Sequence, residues 1–142
     1  MPIRRANIED SEAIREMLRQ LGYPLTNEFI RAKLTLLLDS KSDEICVYED
    51  NGKVIGFLTL HISVQLAFEH NFCEIGYFVV DQNVRSKGVG KQLEEAACKI
   101  ALERGCDRIE VFSMEHRADA HRFYERQGYS HIQKKFEKIL DK

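Results

Sequence analysis

With 142 residues, 44% of them apolar, the chain can bury one proper core and is too short for two ordinary domains, so one domain over residues 1–142 is expected. A formal charge of −2 gives no global positive field, which argues against a nucleic-acid partner. No apolar run approaches the ~18 residues of a membrane span, and the start MPIRRANIEDSEAI turns acidic before a signal-peptide core could form; the expected location is cytoplasmic, with no membrane partner.

PIRRA begins as a short strand. Ile14, Met17, Leu18 and Leu21 then fall at helical spacing, with acids in the first turn and Gly22 at the end. After YPLT the pattern returns through Phe29, Ile30, Leu34, Leu37 and Leu38, until KSD at 41–43 breaks it. EICVYED and VIGFLTLHISV, joined through Asn51-Gly52, predict a tight hairpin, because both turn residues tolerate positive φ. A looser loop, QLAFEHN, leads to the strand FCEIGYFVV. Val89, Leu93, Ala96, Ala97, Ile100 and Ala101 predict a helix ending at Gly105. RIEVFSM reads as a strand, RADAHRFYERQ as a short helix stopped by Gly128, and YSHIQKKFEKIL as a last strand. The order β, α, α, β, β, β, α, β, α, β implies an α/β (α+β) architecture, a mixed sheet flanked by helices.

Cys46, Cys73, Cys98 and Cys106 form no CxxC pair and have no histidine at zinc-ligand spacing, so reduced thiols and no metal are expected.

The chemistry starts at VRSKGVGK, residues 84–91, between the strand IGYFVV and a helix. A P-loop would need glycine at Arg85 and Ser or Thr at Gln92, and a dinucleotide fingerprint would need glycine at Leu93. What remains is R-x-x-G-x-G, Arg85-Ser86-Lys87-Gly88-Val89-Gly90. Its glycines let backbone N–H groups approach an anion, the helix N-terminus adds about half a positive charge, and Arg85 and Lys87 add full ones. This is the chemistry of a pyrophosphate cradle.

Downstream stands Ala120-His121-Arg122-Phe123-Tyr124-Glu125-Arg126-Gln127-Gly128-Tyr129. With this second motif the chain resembles the GNAT superfamily of acyl-coenzyme A dependent N-acyltransferases, in motif order, separation and element order across essentially its whole length. The resemblance implies a predominantly antiparallel twisted sheet of about six strands with about four helices. It implies acetyl-CoA as cosubstrate, its pyrophosphate held by residues 85–91 (Arg85, Ser86, Lys87, Gly88, Val89, Gly90 and Lys91), its pantetheine amides pairing with the strand edge at Phe78, Val79 and Val80, and an oxyanion-binding N–H near Val80. Many members carry asparagine three residues before the alanine of the second motif. Here that position is Arg117, which can meet a phosphate, an acidic substrate group or a neighbouring carboxylate.

Amide formation needs a neutral amine, and an alkylammonium of pKa ~10.4 is less than about one part in a thousand neutral at pH 7. Glu74 matches the general-base glutamate of the histone-acetyltransferase branch; burial on its strand would suit it to accept a proton. Glu74 can equally be a structural ion-pair glutamate, with a water chain deprotonating the amine. Glu115, His116 and His121 are further base candidates. The resemblance puts the Tyr124 hydroxyl near the thioester sulfur as the leaving group's proton donor, with Phe123 as its inward-packing neighbour.

The expected function is acetyl transfer to a primary amine by direct attack in a ternary complex. A small cationic acceptor would be lined by residues 23–26 and 66–72, with Glu28, Glu69 or Glu74 favouring its charge. The alternatives are a protein lysine or N-terminus as acceptor, or a non-catalytic acyl-CoA sensor. A homodimer paired through the last strand is a further expectation.

Overall fold

The computed structural model describes residues 2–84, 88–111, 118–130 and 136–140. They divide into two compact units, Met1–Val111 and Phe112–Lys142.

In the first unit, β1 (Ile3–Arg5) leads through a short 3-10 turn (Ile8–Asp10) into α1 (Ser11–Gln20). The entry is a reciprocal cap: the Asn7 side chain accepts from the Glu9 N–H at 2.9 Å, and Asp10 accepts from the Asn7 N–H at 2.8 Å. Ile14, Met17 and Leu18 form the buried stripe of α1 that their spacing predicted. Thr26 caps α2 (Asn27–Asp39) by accepting from the Phe29 N–H at 3.1 Å, and Ile30 and Leu34 face inward.

The sheet follows with β2 (Asp43–Asp50), β3 (Lys53–Ser63), β4 (Asn71–Val80) and β5 (Cys106–Val111), while α3 (Val89–Glu103) connects β4 to β5. Strand order equals chain order; the first three pairings are antiparallel and β4–β5 is parallel. The predicted hairpin turn is present, with φ of 52° at Asn51 and 78° at Gly52. One core layer lies between the sheet and α3, with Leu58, Leu60, Cys73, Leu93 and Ala97 at its centre. The other lies between the sheet and α1 and α2, around Met17, Val47 and Phe57. Among the described residues no helix is long and apolar enough to cross a membrane.

Asp10 is a buried carboxylate held by both terminal nitrogens of Arg4, each at 2.9 Å. Burial pushes its pKa up, but the Arg4 hydrogen bonds and the Asn7 N–H outweigh burial and hold it below the ordinary carboxylate range. A folded-state pKa below the unfolded one contributes stability above the unfolded value, lost as pH falls through the folded value. Arg4→Ala strands Asp10 with the Asn7 N–H alone. It is expected to cost about 3 kcal/mol at pH 7, with the difference from wild type shrinking below about pH 4, as read by urea melts at both pH values.

In the second unit α4 spans Ala118–Arg126 and stops at Gly128, whose φ is 93°. The Tyr129 N–H reaches back to the Tyr124 carbonyl at 3.0 Å. The expected last strand has no counterpart in residues 136–140, which are exposed and carry no strand; its central residues, 131–135, lie outside the described set. The described sheet has five strands where about six were expected.

Candidate active site

The chain leaves β4 through a turn tied from two sides. Buried Asp81 accepts from the Asn83 N–H at 2.9 Å and from the Gln20 side-chain amide at 3.3 Å, while Gln20 accepts from the Gln82 N–H at 2.9 Å. The end of α1 therefore fixes the start of the glycine loop. Arg85, Ser86 and Lys87 lie outside the described residues. At Gly88 the backbone is left-handed, with φ 71°, and forms the N-cap of α3 without a side-chain hydrogen bond. The first helical turn contains no acid. Its N–H groups have no intrahelical acceptors, and the dipole there favours an anion. Val89 is buried, so what it offers an anion is its backbone, and the Lys91 side chain is exposed.

Gly56 is what lets this helix end come close. A Cβ there would stand 3.0 Å from both Leu93 Cδ1 and Val89 Cγ1 and 3.3 Å from the Val79 carbonyl. Gly56→Ala is expected to lose about 1–3 kcal/mol in a urea melt through overpacking, because Val89 and Leu93 must move.

Beside the helix end lies the last part of β4. β4 pairs with β3 through Phe78, Val79 and Val80, and its described pairing with β5 runs as far as Ile75 and Val111. An irregularity in the β3–β4 pairing lies at Gly76 and Tyr77. Both residues oppose Thr59, whose Oγ1 accepts from the Tyr77 N–H at 2.9 Å. The bulge flips the strand's facing: Cys73 and Ile75 point to the α3 core before it, Phe78 and Val80 after it.

On the opposite face, that of α1 and α2, Glu74 is exposed. The burial proposed to make it a better base is absent. Register puts Glu74 opposite His61 on β3 and Glu110 on β5, and His61 opposite Asp43 on β2. These four titratable side chains form one row across four strands. His61 Nδ1 lies 3.1 Å from Asp43 Oδ1, and Asp43 Oδ2 accepts from the Ser40 hydroxyl at 2.6 Å. The predicted acceptor segments flank the row. The Tyr23 ring meets Tyr77 edge-on at 6.5 Å, and beyond the other end the Phe68 and Phe72 rings pack tilted at 5.1 Å with Arg108 over Phe72 at 3.9 Å. Glu69 pairs with His70 at 3.6 Å, and Glu28 sits in the first turn of α2. Residue-by-residue reading missed Asp43, His61 and Glu110, whose grouping depends on register.

In the second unit Phe123 and Tyr124 are both half-buried, so neither is a plain inward residue. The Tyr124 ring makes edge contacts with Phe123 and Tyr129, both at 5.5 Å. His121 is half-buried on α4; Glu115, His116 and Arg117 lie outside the described residues.

All four cysteines are free, and three are buried. Burial pushes the Cys73 thiol up to about 12, and burial together with Glu94 pushes Cys98 up to about 11, so neither is an activated nucleophile. Among the described residues no group of three or more His, Cys, Asp or Glu is arranged to hold a metal ion.

The anion-ready start of α3 thus follows β4 directly in this mixed sheet. Residues 11–129 match the acetyltransferase (GNAT) family, and the chain belongs to that family. Over 90 residues, 63% of this chain, it is 36% identical to the aminoalkylphosphonate N-acetyltransferase of Salmonella typhimurium, spanning 58% of that relative's length. A transcriptional regulator structure from Bacillus halodurans is 26% identical, with a TM-score of 0.87 and coverage of 97% of this chain and 98% of that one. Glucosamine-6-phosphate N-acetyltransferase from Arabidopsis thaliana is 24% identical, with a TM-score of 0.82 over 98% of this chain and 97% of that one.

Proposed function

We propose that this chain transfers an acetyl group from acetyl-CoA to the primary amine of a small cationic molecule, by direct attack within a ternary complex. The observation that carries the reading is the start of α3, where left-handed Gly88 opens an acid-free first turn shortly after β4 ends. The donors there suit a pyrophosphate, and a pantetheine arm would pair its amides with the end of β4 as an added strand does. Residues 85–91 are assigned to the pyrophosphate and Phe78, Val79 and Val80 to the arm, with Arg117 as a further cofactor contact. Bound there, acetyl-CoA supplies the activated acyl carbon.

The amine loses a proton and its lone pair forms the C–N bond; the C–S bond breaks and the thiolate takes up a proton. Tyr124 is assigned as that proton's donor, a role suited to a phenol as charge develops on sulfur. Glu74, on the exposed acidic face, is assigned to meet the acceptor's ammonium. The Salmonella relative's name supports a small amine as acceptor.

The test is thiol release from acetyl-CoA across simple diamines, aminoalkylphosphonates, amino sugars and a lysine peptide. Turnover of small amines well above the peptide is the expected result, and a preference for the peptide would replace small molecules with protein acceptors. The Bacillus halodurans regulator favours a second reading, an acyl-CoA-responsive binding module. Tight acetyl-CoA binding with no amine accelerating thiol release above hydrolysis would select it.

A further inference from the structure

The four-strand row raises a question the assigned roles leave open: where the acceptor's proton goes. Of the side chains in the row, an imidazole is by its chemistry the usual proton acceptor near neutral pH. Glu74 is exposed, and its cross-strand neighbour is an imidazole. Directly opposed residues place their Cβ atoms about 4.5–5.5 Å apart, so a group held against Glu74 is within reach of His61.

His61 is also held in one orientation. Ionised Asp43 only accepts hydrogen bonds, so its 3.1 Å contact makes Nδ1 the protonated nitrogen and leaves the lone pair on Nε2. Nε2 makes no hydrogen bond among the described residues. Ser40 and the β2 backbone fix Asp43 in turn. The charged groups facing the imidazole are Asp43 from β2 and Glu74 from β4, with Glu110 beyond it on β5.

We propose that His61, oriented by Asp43, is the base that deprotonates the acceptor amine, while Glu74 and Glu110 hold its ammonium form in place. This rests on the acetyltransferase reading above. The ammonium gives one proton to His61 Nε2 and becomes the neutral nucleophile; Asp43 offsets the imidazolium charge. His61 is 53% exposed, so the proton leaves to solvent once the amide has formed. His61 touches substrate and is catalytic; Asp43 acts through it and is a positioning residue.

The experiment measures kcat and kcat/KM against pH for wild type, His61→Asn, His61→Ala, Asp43→Asn and Glu74→Gln with a small amine that the wild type turns over. In the wild type, kcat should fall towards acid through a single ionisation. His61→Asn should lower kcat by about 100-fold and abolish that limb, leaving KM for acetyl-CoA unchanged. Imidazole added to His61→Ala should restore part of the rate. Asp43→Asn should lower kcat about tenfold and move the limb, whereas Glu74→Gln should keep the limb and raise KM for the amine. Wild-type turnover with kcat and limb unchanged in His61→Asn, or both lost in Glu74→Gln instead, would overturn the dyad alone. A wild type that acetylates no amine would overturn the dyad and the acetyltransferase reading together.

Discussion

Replacing Gly88 with glutamate is expected to weaken acetyl-CoA binding by more than about 100-fold, equivalent to roughly 3 kcal/mol. Two effects add. The left-handed backbone at this N-cap, φ 71°, costs a residue with a side chain about 1–2 kcal/mol. The new carboxylate would also sit where the helix dipole and free N–H groups are set for an anion, and would oppose the pyrophosphate. Gly88→Ala separates the two. A Cβ there meets nothing closer than Gln92 Nε2 at 3.9 Å, so alanine carries the backbone strain alone. Calorimetric titration should show alanine losing less than tenfold and glutamate far more; equal small losses would mean the anion does not bind at this helix end.

Tyr124→Phe is expected to lower kcat by about 100-fold while leaving the affinity for acetyl-CoA within a factor of about two. Phenylalanine keeps the ring that packs against Phe123 and Tyr129, so α4 and its Gly128 stop should survive. A loss confined to kcat is the mark of a proton donated as the C–S bond breaks. Unchanged kcat would assign the leaving thiolate's proton to another donor and Tyr124 to packing.

The fold was legible where one local rule decides. Asn51-Gly52 announces its turn because few other pairs accept two positive φ values, and Ile14, Met17 and Leu18 show their buried stripe by spacing alone. The glycine loop was found by counting positions, since its chemistry sits in consecutive residues. The β4 bulge was not legible. FCEIGYFVV reads as one continuous strand, and only the register against Thr59 shows two residues facing one and the strand's facing reversed. The dyad was hidden for the same reason: Asp43 and His61 are 18 positions apart and meet only through hairpin pairing. The intrinsic chemistry of histidine also points to His121 on its helix, whereas His61 stands on a strand and meets Asp43 only across the hairpin. Glu74 was found, but its exposure depends on which face α1 and α2 leave uncovered, and no single-strand pattern states that.

The central claim is that this chain moves an acetyl group from a thioester to an amine. The most direct measurement incubates the purified protein with acetyl-CoA carrying an isotopically labelled acetyl group and the best amine of the panel, and follows both products by mass spectrometry. Labelled N-acetylated amine and free coenzyme A are expected in equal amounts, at a rate that falls in Tyr124→Phe and His61→Asn. Free coenzyme A accompanied by labelled acetate, with no label on the amine, would contradict it.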